Sequence, residues 1–226
     1  MAAHSKRYRQ AMALVDRTRR YSVEEAVGLL KQFPSPKFSE TVEVALKLGI
    51  DPRQSDQMVR GSVSLPHGIG KDVRVIAFCE GATAEQARAA GAVEAGGEDL
   101  VKKVQDGWTD FDVAVADPKM MRLVGQLGRI LGPQGKMPSP KSGTVTPEVV
   151  DAVADFKAGR IEYRADNTGN LHAPVGRMDF EEARLAENVT SFIGHIRAAR
   201  PASVKGAFIE AAYITSSMNP GIKLAV

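Results

Sequence analysis

The chain has 226 residues, 43% of them hydrophobic and only 6% aromatic, and its formal net charge is +3. This length suits one large domain or two small ones, and the low aromatic content argues against a broad platform on which single-stranded bases stack. No apolar run approaches the roughly 20 residues of a membrane-spanning helix, and residues 1–10 lack the hydrophobic segment of a secretory signal, so we expect a cytoplasmic protein.

The positive charge is concentrated in the first 20 residues, which hold six Lys and Arg side chains and one acid, Asp16. This arm therefore has a net charge of +5, and the other 206 residues sum to −2. A basic arm is equally consistent with a nucleic-acid contact and with a solvated segment. Charge alone does not identify an RNA-binding protein.

The first predicted elements form one helix and two strands. Ser22 and Glu25 have the spacing of a capping box, which predicts a helix from Ser22 to about Phe33. Apolar residues alternate from Thr41 to Gly49, as in a strand with one buried face, and a short strand is expected from Gly61 to Leu65.

From about residue 68 the pattern changes to short buried strands that alternate with helices. Strands are predicted at 72–78, 92–93 and 111–116, and helices at 98–105, after Asp117-Pro118 and after Thr146-Pro147; Thr83 should cap another helix. This alternation indicates a small parallel sheet covered on both faces. The one cysteine, Cys79, follows the first of these strands and is expected to be a buried thiol.

The segment from Gly128 to Gly143 contains four glycines, three prolines and no carboxylate. We expect this composition to exclude a helix and a continuous strand, leaving a stiff surface loop whose cations, Arg129, Lys136 and Lys141, suit a polyanion. Its spacing does not fit a nucleotide phosphate loop, because no hydroxyl residue follows Gly135-Lys136. Nor does a helix follow the G-x-x-G sequence as in a KH domain.

After Gly159 the half-buried pattern returns. We predict a hairpin of strands 160–164 and 171–175, a helix opened by Asp179 and Glu182, and a long strand at 207–217. The simplest organisation is a discontinuous domain, 1–67 with 160–226, interrupted by an inserted domain at 68–159.

Four segments follow one another along the chain in a distinctive order: Leu48 to Lys71, Gly128 to Gly143, G-R-I-E-Y-R from Gly159 to Arg164, and H-A-P-V-G from His172 to Gly176. Together they resemble the bacterial family of the large-subunit ribosomal protein L-one. The similarity extends from about Tyr21 to the end of the chain.

The resemblance implies an α/β fold in which a two-layer domain with an antiparallel sheet is interrupted by an inserted Rossmann-like three-layer domain with a parallel sheet. It implies no catalysis, no cofactor and no metal. The family binds structured large-subunit rRNA as a monomer within the ribosome, at the mobile stalk beside the tRNA exit site, and assists the release of discharged tRNA. It commonly also binds its own messenger RNA and represses translation.

The residues that match the family's rRNA contacts lie in two short segments and one pair. They are Lys37, Phe38, Thr41 and Glu43; Ser216, Ser217, Met218, Asn219 and Pro220; and the neighbours Arg164 and Asp166. Candidate secondary RNA contacts are Arg129, Lys136 and Lys141 in the Gly/Pro segment.

Position 219 departs from the family pattern. The family usually has Thr-Met-Gly-Pro where this chain has Ser217-Met218-Asn219-Pro220. Serine keeps the hydroxyl group, and asparagine tolerates positive φ, but its side chain would obstruct a close approach of the backbone to RNA. We therefore expect Asn219 to be the weakest contact of the set.

Two other functions compete with rRNA binding. An enzyme with a dinucleotide fold is disfavoured because the first strand-to-helix turn of the inserted domain, C-E-G-A-T-A-E-Q-A, lacks G-x-G-x-x-G, and the four histidines have no metal-ligand spacing. A translational repressor or RNA chaperone outside the ribosome would use the same surface. Ribosome fractionation would distinguish this second alternative.

Overall fold

The computed structural model describes residues 4–54 and 56–226, so expectations for residues 1–3 and Ser55 lie outside it. The α-helices are α1 (Lys6–Ala13), α2 (Val23–Lys31), α3 (Ala82–Ala89), α4 (Glu98–Gln105), α5 (Met121–Val124), α6 (Gly128–Leu131), α7 (Val149–Ala158) and α8 (Glu182–Ala198). The strands are β1 (Thr41–Leu48), β2 (Arg60–Ser64), β3 (Val75–Phe78), β4 (Glu94–Gly96), β5 (Val113–Ala116), β6 (Arg160–Arg164), β7 (Asn170–Arg177), β8 (Ile209–Ser216) and β9 (Ile222–Lys223).

The chain divides into two compact units. The first unit comprises the chain up to Gly70 together with Ile161–Val226, and the second unit is Lys71–Arg160. No helix within the described residues is long and apolar enough to cross a membrane.

The basic arm contains a helix, α1, that the sequence analysis did not predict. The Ser5 hydroxyl caps it by accepting a hydrogen bond from the Tyr8 backbone amide. Ala11 is fully buried in the hydrophobic core of the first unit, and the Asp16 amide donates to the Tyr21 hydroxyl at 3.0 Å. The arm is thus folded onto the first unit, which rules out a wholly solvated segment over its described residues.

The first unit has two layers. Its antiparallel sheet has the strand order β7-β1-β8-β9, and along β1 every second residue is buried. Helices α2 and α8 cover the buried face, where Leu30 and Phe192 join Val44 in one hydrophobic core. The capping box of Ser22 and Glu25 starts α2 as predicted. The opposite face of the sheet carries half-buried and exposed residues.

Two predictions for the first unit are wrong. Strands β6 and β7 do not form a hairpin, because β6 pairs with β2 and β7 pairs with β1, leaving only an isolated bridge from Ala165 to Leu171. Helix α8 begins at Glu182, after the N-cap residue Glu181. The Asp179 carboxylate does not cap this helix, since it accepts a hydrogen bond from the Ser39 hydroxyl instead.

The second unit has the predicted three layers. Its parallel sheet has the order β4-β3-β5. Ile76 and Phe78 of β3 pack with α4, α5 and Leu131 on one face, and α3 and α7 lie together on the other. The α/β fold class with one antiparallel and one parallel sheet is therefore confirmed, and α4 has the predicted limits.

Several boundaries in the second unit differ from the predictions. β3 and β5 are shorter than predicted, and β4 starts at Glu94, two residues late. Thr83 does not cap α3: Gly81, with φ of 61°, turns the chain so that the helix begins at Ala82. At α7 the Thr146 hydroxyl accepts a hydrogen bond from the Glu148 amide at 3.2 Å, and the helix begins one residue later.

The Gly/Pro segment is not free of helix, contrary to prediction. Residues Gly128–Leu131 form α6, and Pro140–Ser142 form a 3₁₀ turn. Gly128 has the right-handed φ of −56°, and the buried side chains of Leu127 and Leu131 offset the conformational cost of a helical glycine. Only the residues between α6 and the 3₁₀ turn are irregular.

Asn188 holds a loop of the first unit against the sheet. This residue of α8 is fully buried, and its amide donates to the carbonyls of Gly68 and Val175 at 2.9 and 2.8 Å. Its Oδ1 accepts from the His67 amide at 3.1 Å. Three backbone groups therefore depend on one side chain.

We predict that Asn188→Leu lowers the free energy of unfolding by about 3 kcal/mol, because it leaves buried backbone groups without partners. Thr190→Ala, an exposed change on the same helix, should stay within about 0.5 kcal/mol of the wild type. Urea unfolding of both variants measures the difference. Equal stability of the two would contradict this role of Asn188.

Candidate nucleic-acid interface

Two segments far apart in sequence meet at the start of β1. Val42 lies opposite Ser216 in the pairing of β1 with β8. Beyond the last strand residue, the Ser217 amide donates to the Thr41 carbonyl at 3.1 Å, and the Thr41 amide donates to the Ser217 hydroxyl at 3.2 Å. Antiparallel pairing thus brings the predicted contact segments 37–43 and 216–220 together where β1 begins and β8 ends.

A buried carboxylate fixes the turn that follows β8. Glu40 is only 1% exposed, and its Oε1 accepts a hydrogen bond from the Met218 amide at 2.9 Å. Its Oε2 accepts from the Asn219 side-chain amide at 2.9 Å and from the Ser216 hydroxyl at 3.3 Å. The Glu40 carbonyl accepts from the Met178 amide, which joins the end of β7 to the same point.

Above this turn two large apolar side chains are exposed to solvent. Phe38 is 53% exposed and Met218 is 52% exposed, the two highest values among the large apolar residues that the structure describes. Four polar residues belong to the same two segments, and among the described residues none bonds the side-chain nitrogen of Lys37 or the hydroxyl of Thr41. We define the anchor patch as Lys37, Phe38, Thr41, Glu43, Ser217 and Met218.

The other three residues of the second segment face inward. Ser216, Asn219 and Pro220 are buried. No described residue other than glycine has positive φ, so Asn219 does not use the left-handed conformation. Its side-chain amide donates hydrogen bonds to Glu40 and Ser216, inside the turn.

Arg164 and Asp166 lie away from the anchor patch. The Asp166 amide donates to the Asn170 carbonyl at 2.8 Å, and Asn170 lies opposite Lys47 at the far end of β1. Six residues of strand separate Lys47 from Thr41, which corresponds to about 20 Å. Arg164 is exposed at the end of β6, in the two-stranded sheet. The structure therefore does not join this pair to the other contacts.

The open face of the sheet continues from the anchor patch with side chains that the sequence analysis did not select. Ala45 at the centre of β1 lies between His172 on β7 and Tyr213 on β8, and Lys223 lies opposite Tyr213 on β9. Tyr213 is 38% exposed. The alternation along each strand could have placed these residues on the open face, since side chains two apart share a face.

The candidate secondary contacts of the second unit differ in how far their cationic groups are free to bind a partner. Arg129 and Lys141 are exposed and have no ion pair among the described residues. The Lys136 ammonium instead donates to the Thr109 carbonyl at 2.9 Å and lies 5.1 Å from the centre of the Phe111 ring. Lys119 and Arg122 are also exposed, and the sequence has no acid from 118 to 147.

Among the described residues, no group of three or more His, Cys, Asp and Glu side chains is close enough to hold a metal ion. Cys79 is fully buried, and this burial raises the pKa of its thiol, which disfavours the nucleophilic thiolate.

The chain is similar in sequence to a known family and to known proteins. Residues 30–220 match the model of the ribosomal protein L1p/L10e family. The chain is 54% identical to the large ribosomal subunit protein uL1 of Kosmotoga olearia, over 99% of this chain and 97% of that protein. It is 52% identical to the protein of the same name from Thermosipho melanesiensis, again over 99% and 97% of the two chains.

Asp166 organises the turn between β6 and β7 and gives a pH-dependent prediction. Hydrogen bonds from the Thr168 hydroxyl and then from the Asn170 amide lower the pKa of Asp166 to about 2. Because the folded pKa lies below the unfolded value of about 3.9, the stabilisation is present above pH 4 or so and is lost as the pH falls toward 2.

NMR titration of Asp166 should therefore show a midpoint near pH 2. Thr168→Val removes the strongest of these hydrogen bonds and should raise the midpoint toward the ordinary value for aspartate. Thr190→Val, on α8, serves as the control and should leave it unchanged. An Asp166 midpoint close to 3.9 in the wild type would contradict the turn geometry.

Proposed function

The chain belongs to the ribosomal protein L1p/L10e family, and we propose that it is a structural constituent of the large ribosomal subunit that binds folded rRNA through its first unit. The discontinuous domain of residues 1–67 and 160–226 is the rRNA-binding part, and the protein acts as a monomer in the ribosome and not as an enzyme. The single observation that carries this proposal is the anchor patch, held in place by the buried carboxylate of Glu40.

The composition of the anchor patch fits RNA better than it fits another polyanion. Phe38 and Met218 offer exposed apolar surface on which a base or a ribose packs. The hydroxyls of Thr41 and Ser217 can bond to ribose 2′-hydroxyls, the groups that distinguish RNA from DNA. Lys37 is the only cation of the patch and Glu43 balances it, so complementary shape contributes more than net charge.

The second unit supplies a different kind of surface. The stretch from 118 to 147 combines Lys119, Arg122, Arg129 and Lys141 without a carboxylate, which suits a phosphate backbone. We propose that this surface serves the mobile stalk beside the exit site, where it contacts discharged tRNA and assists its release.

A second candidate function uses the same anchor patch. Because the patch recognises contour and 2′-hydroxyls, an element of the protein's own messenger RNA with a similar fold would compete for it. Binding there would repress translation of the message. Competition between an rRNA stalk fragment and the leader of the message, measured by filter binding, tests whether one surface serves both.

For the anchor patch we predict that Thr41→Val and Met218→Ala each weaken binding of an rRNA stalk fragment by about 1–3 kcal/mol. The first change removes a hydroxyl at nearly constant volume, and the second removes an exposed apolar contact. Met58→Ala and Thr190→Val are matched controls outside the patch and should retain the wild-type affinity. Wild-type affinity of both patch variants would refute the assigned surface.

For the second unit we predict that Lys141→Ala and Lys136→Ala leave the affinity for this fragment nearly unchanged. Lys136→Ala should instead lower the stability of the second unit, since its ammonium bonds to the Thr109 carbonyl. Isothermal titration with the fragment and thermal unfolding separate the two effects. A large loss of affinity in either variant would move the anchor into the second unit.

A further inference from the structure

We propose that Asn219 is a positioning residue. Its side chain holds the turn of residues 216–219, which we call the Met218 turn, in the RNA-binding conformation in the protein alone. The inference rests on the proposed function, because it concerns how the anchor patch is held. The Asn219 side chain is buried, so we propose no direct contact between this side chain and RNA. It acts through Glu40 and Ser216.

The Asn219 amide joins the two groups that hold the turn. Its Nδ2 donates to the Glu40 carboxylate at 2.9 Å and to the Ser216 hydroxyl at 2.7 Å. Glu40 in turn accepts from the Met218 amide, and Ser216 is the last residue of β8. One side chain therefore connects the end of the strand to the residue exposed on the patch.

The orientation of the amide follows from the charge beside it. A carboxylate can only accept hydrogen bonds, so the nitrogen end of Asn219 must face Glu40. The oxygen end is then buried, and no described residue donates a hydrogen bond to it. A buried unpaired acceptor costs free energy, so the contacts of Nδ2 must outweigh that cost for this arrangement to persist.

Glu40 needs this donor more than an exposed acid would. It is almost completely buried, and no cation pairs with it among the described residues. Three donors satisfy its two oxygen atoms, and two of them, the Met218 amide and the Asn219 amide, lie in the turn itself. Removing one donor leaves an oxygen of the Glu40 carboxylate without a hydrogen bond. This favours a more mobile turn, in which water reaches the carboxylate.

A turn that is fixed before binding lowers the ordering cost of association. Met218 is half exposed and would otherwise sample several positions, so its contact with RNA would have to be ordered at the moment of binding. The predicted consequence is that loss of the Asn219 amide weakens RNA binding without removing any group that touches RNA.

The test compares Asn219→Ala and Ser216→Ala with Met218→Ala in the full-length protein. Asn219→Ala removes the amide and keeps the backbone restrictions of a residue with a Cβ atom. In the protein alone, hydrogen exchange of the Met218 amide should speed up roughly tenfold in Asn219→Ala and Ser216→Ala. Met218→Ala should leave exchange at position 218 nearly unchanged, because its backbone amide still reaches Glu40.

The same variants are titrated with an rRNA stalk transcript at two salt concentrations. Asn219→Ala should bind roughly tenfold more weakly with the same salt dependence, since it removes no phosphate contact. Unchanged exchange and unchanged affinity in Asn219→Ala, with weaker binding by Met218→Ala, would overturn this inference alone. Unchanged affinity of both Met218→Ala and Thr41→Val would overturn the proposed surface. Tighter binding by Asn219→Ala would show that the side chain opposes RNA, which also overturns the inference.

Discussion

A buried carboxylate that no cation pairs with in the described part of the chain fixes the turn at the candidate interface. Glu40 precedes β1, and its carbonyl bonds to Met178 after β7 while its carboxylate bonds to the turn after β8. The ends of three neighbouring strands are therefore tied to one residue. Burying a charge is costly unless each oxygen has donors, so the loss of any one of these hydrogen bonds leaves part of that cost uncompensated. The backbone of Met218, whose side chain is exposed, is held by this network.

The anchor patch and the second unit differ in charge, and the proposed function gives each a different kind of RNA contact. The anchor patch combines one cation with one acid, apolar surface and hydroxyls, which favours a folded RNA of matching contour. The second unit has a stretch of cations without acids, which favours any phosphate backbone and makes its binding sensitive to salt. In the function proposed above, the first kind of contact serves the rRNA anchor and the second serves the tRNA.

Local signals in the sequence predicted structure well, and remote pairings were missed. The capping box of Ser22 and the limits of α4 depend on adjacent residues. The pairing of β6 with β2 depends on a strand about 100 residues away, so the sequence near D-N-T-G-N wrongly favoured a hairpin. The candidate contact segments were predicted from a family resemblance, but Glu40 was missed because an acid before a strand is usually a solvated charge.

Position 219 shows why a motif alone does not define an interface. The sequence predicts that the asparagine side chain obstructs a close approach of the backbone to RNA. In the structure this side chain is buried, and its amide donates a hydrogen bond to Glu40. The Asn219 side-chain oxygen is buried and has no hydrogen-bond partner among the described residues. The hydrogen bonds that Nδ2 donates to Glu40 and Ser216 must therefore outweigh the cost of that unpaired oxygen, which makes them the contacts through which Asn219 acts on the turn.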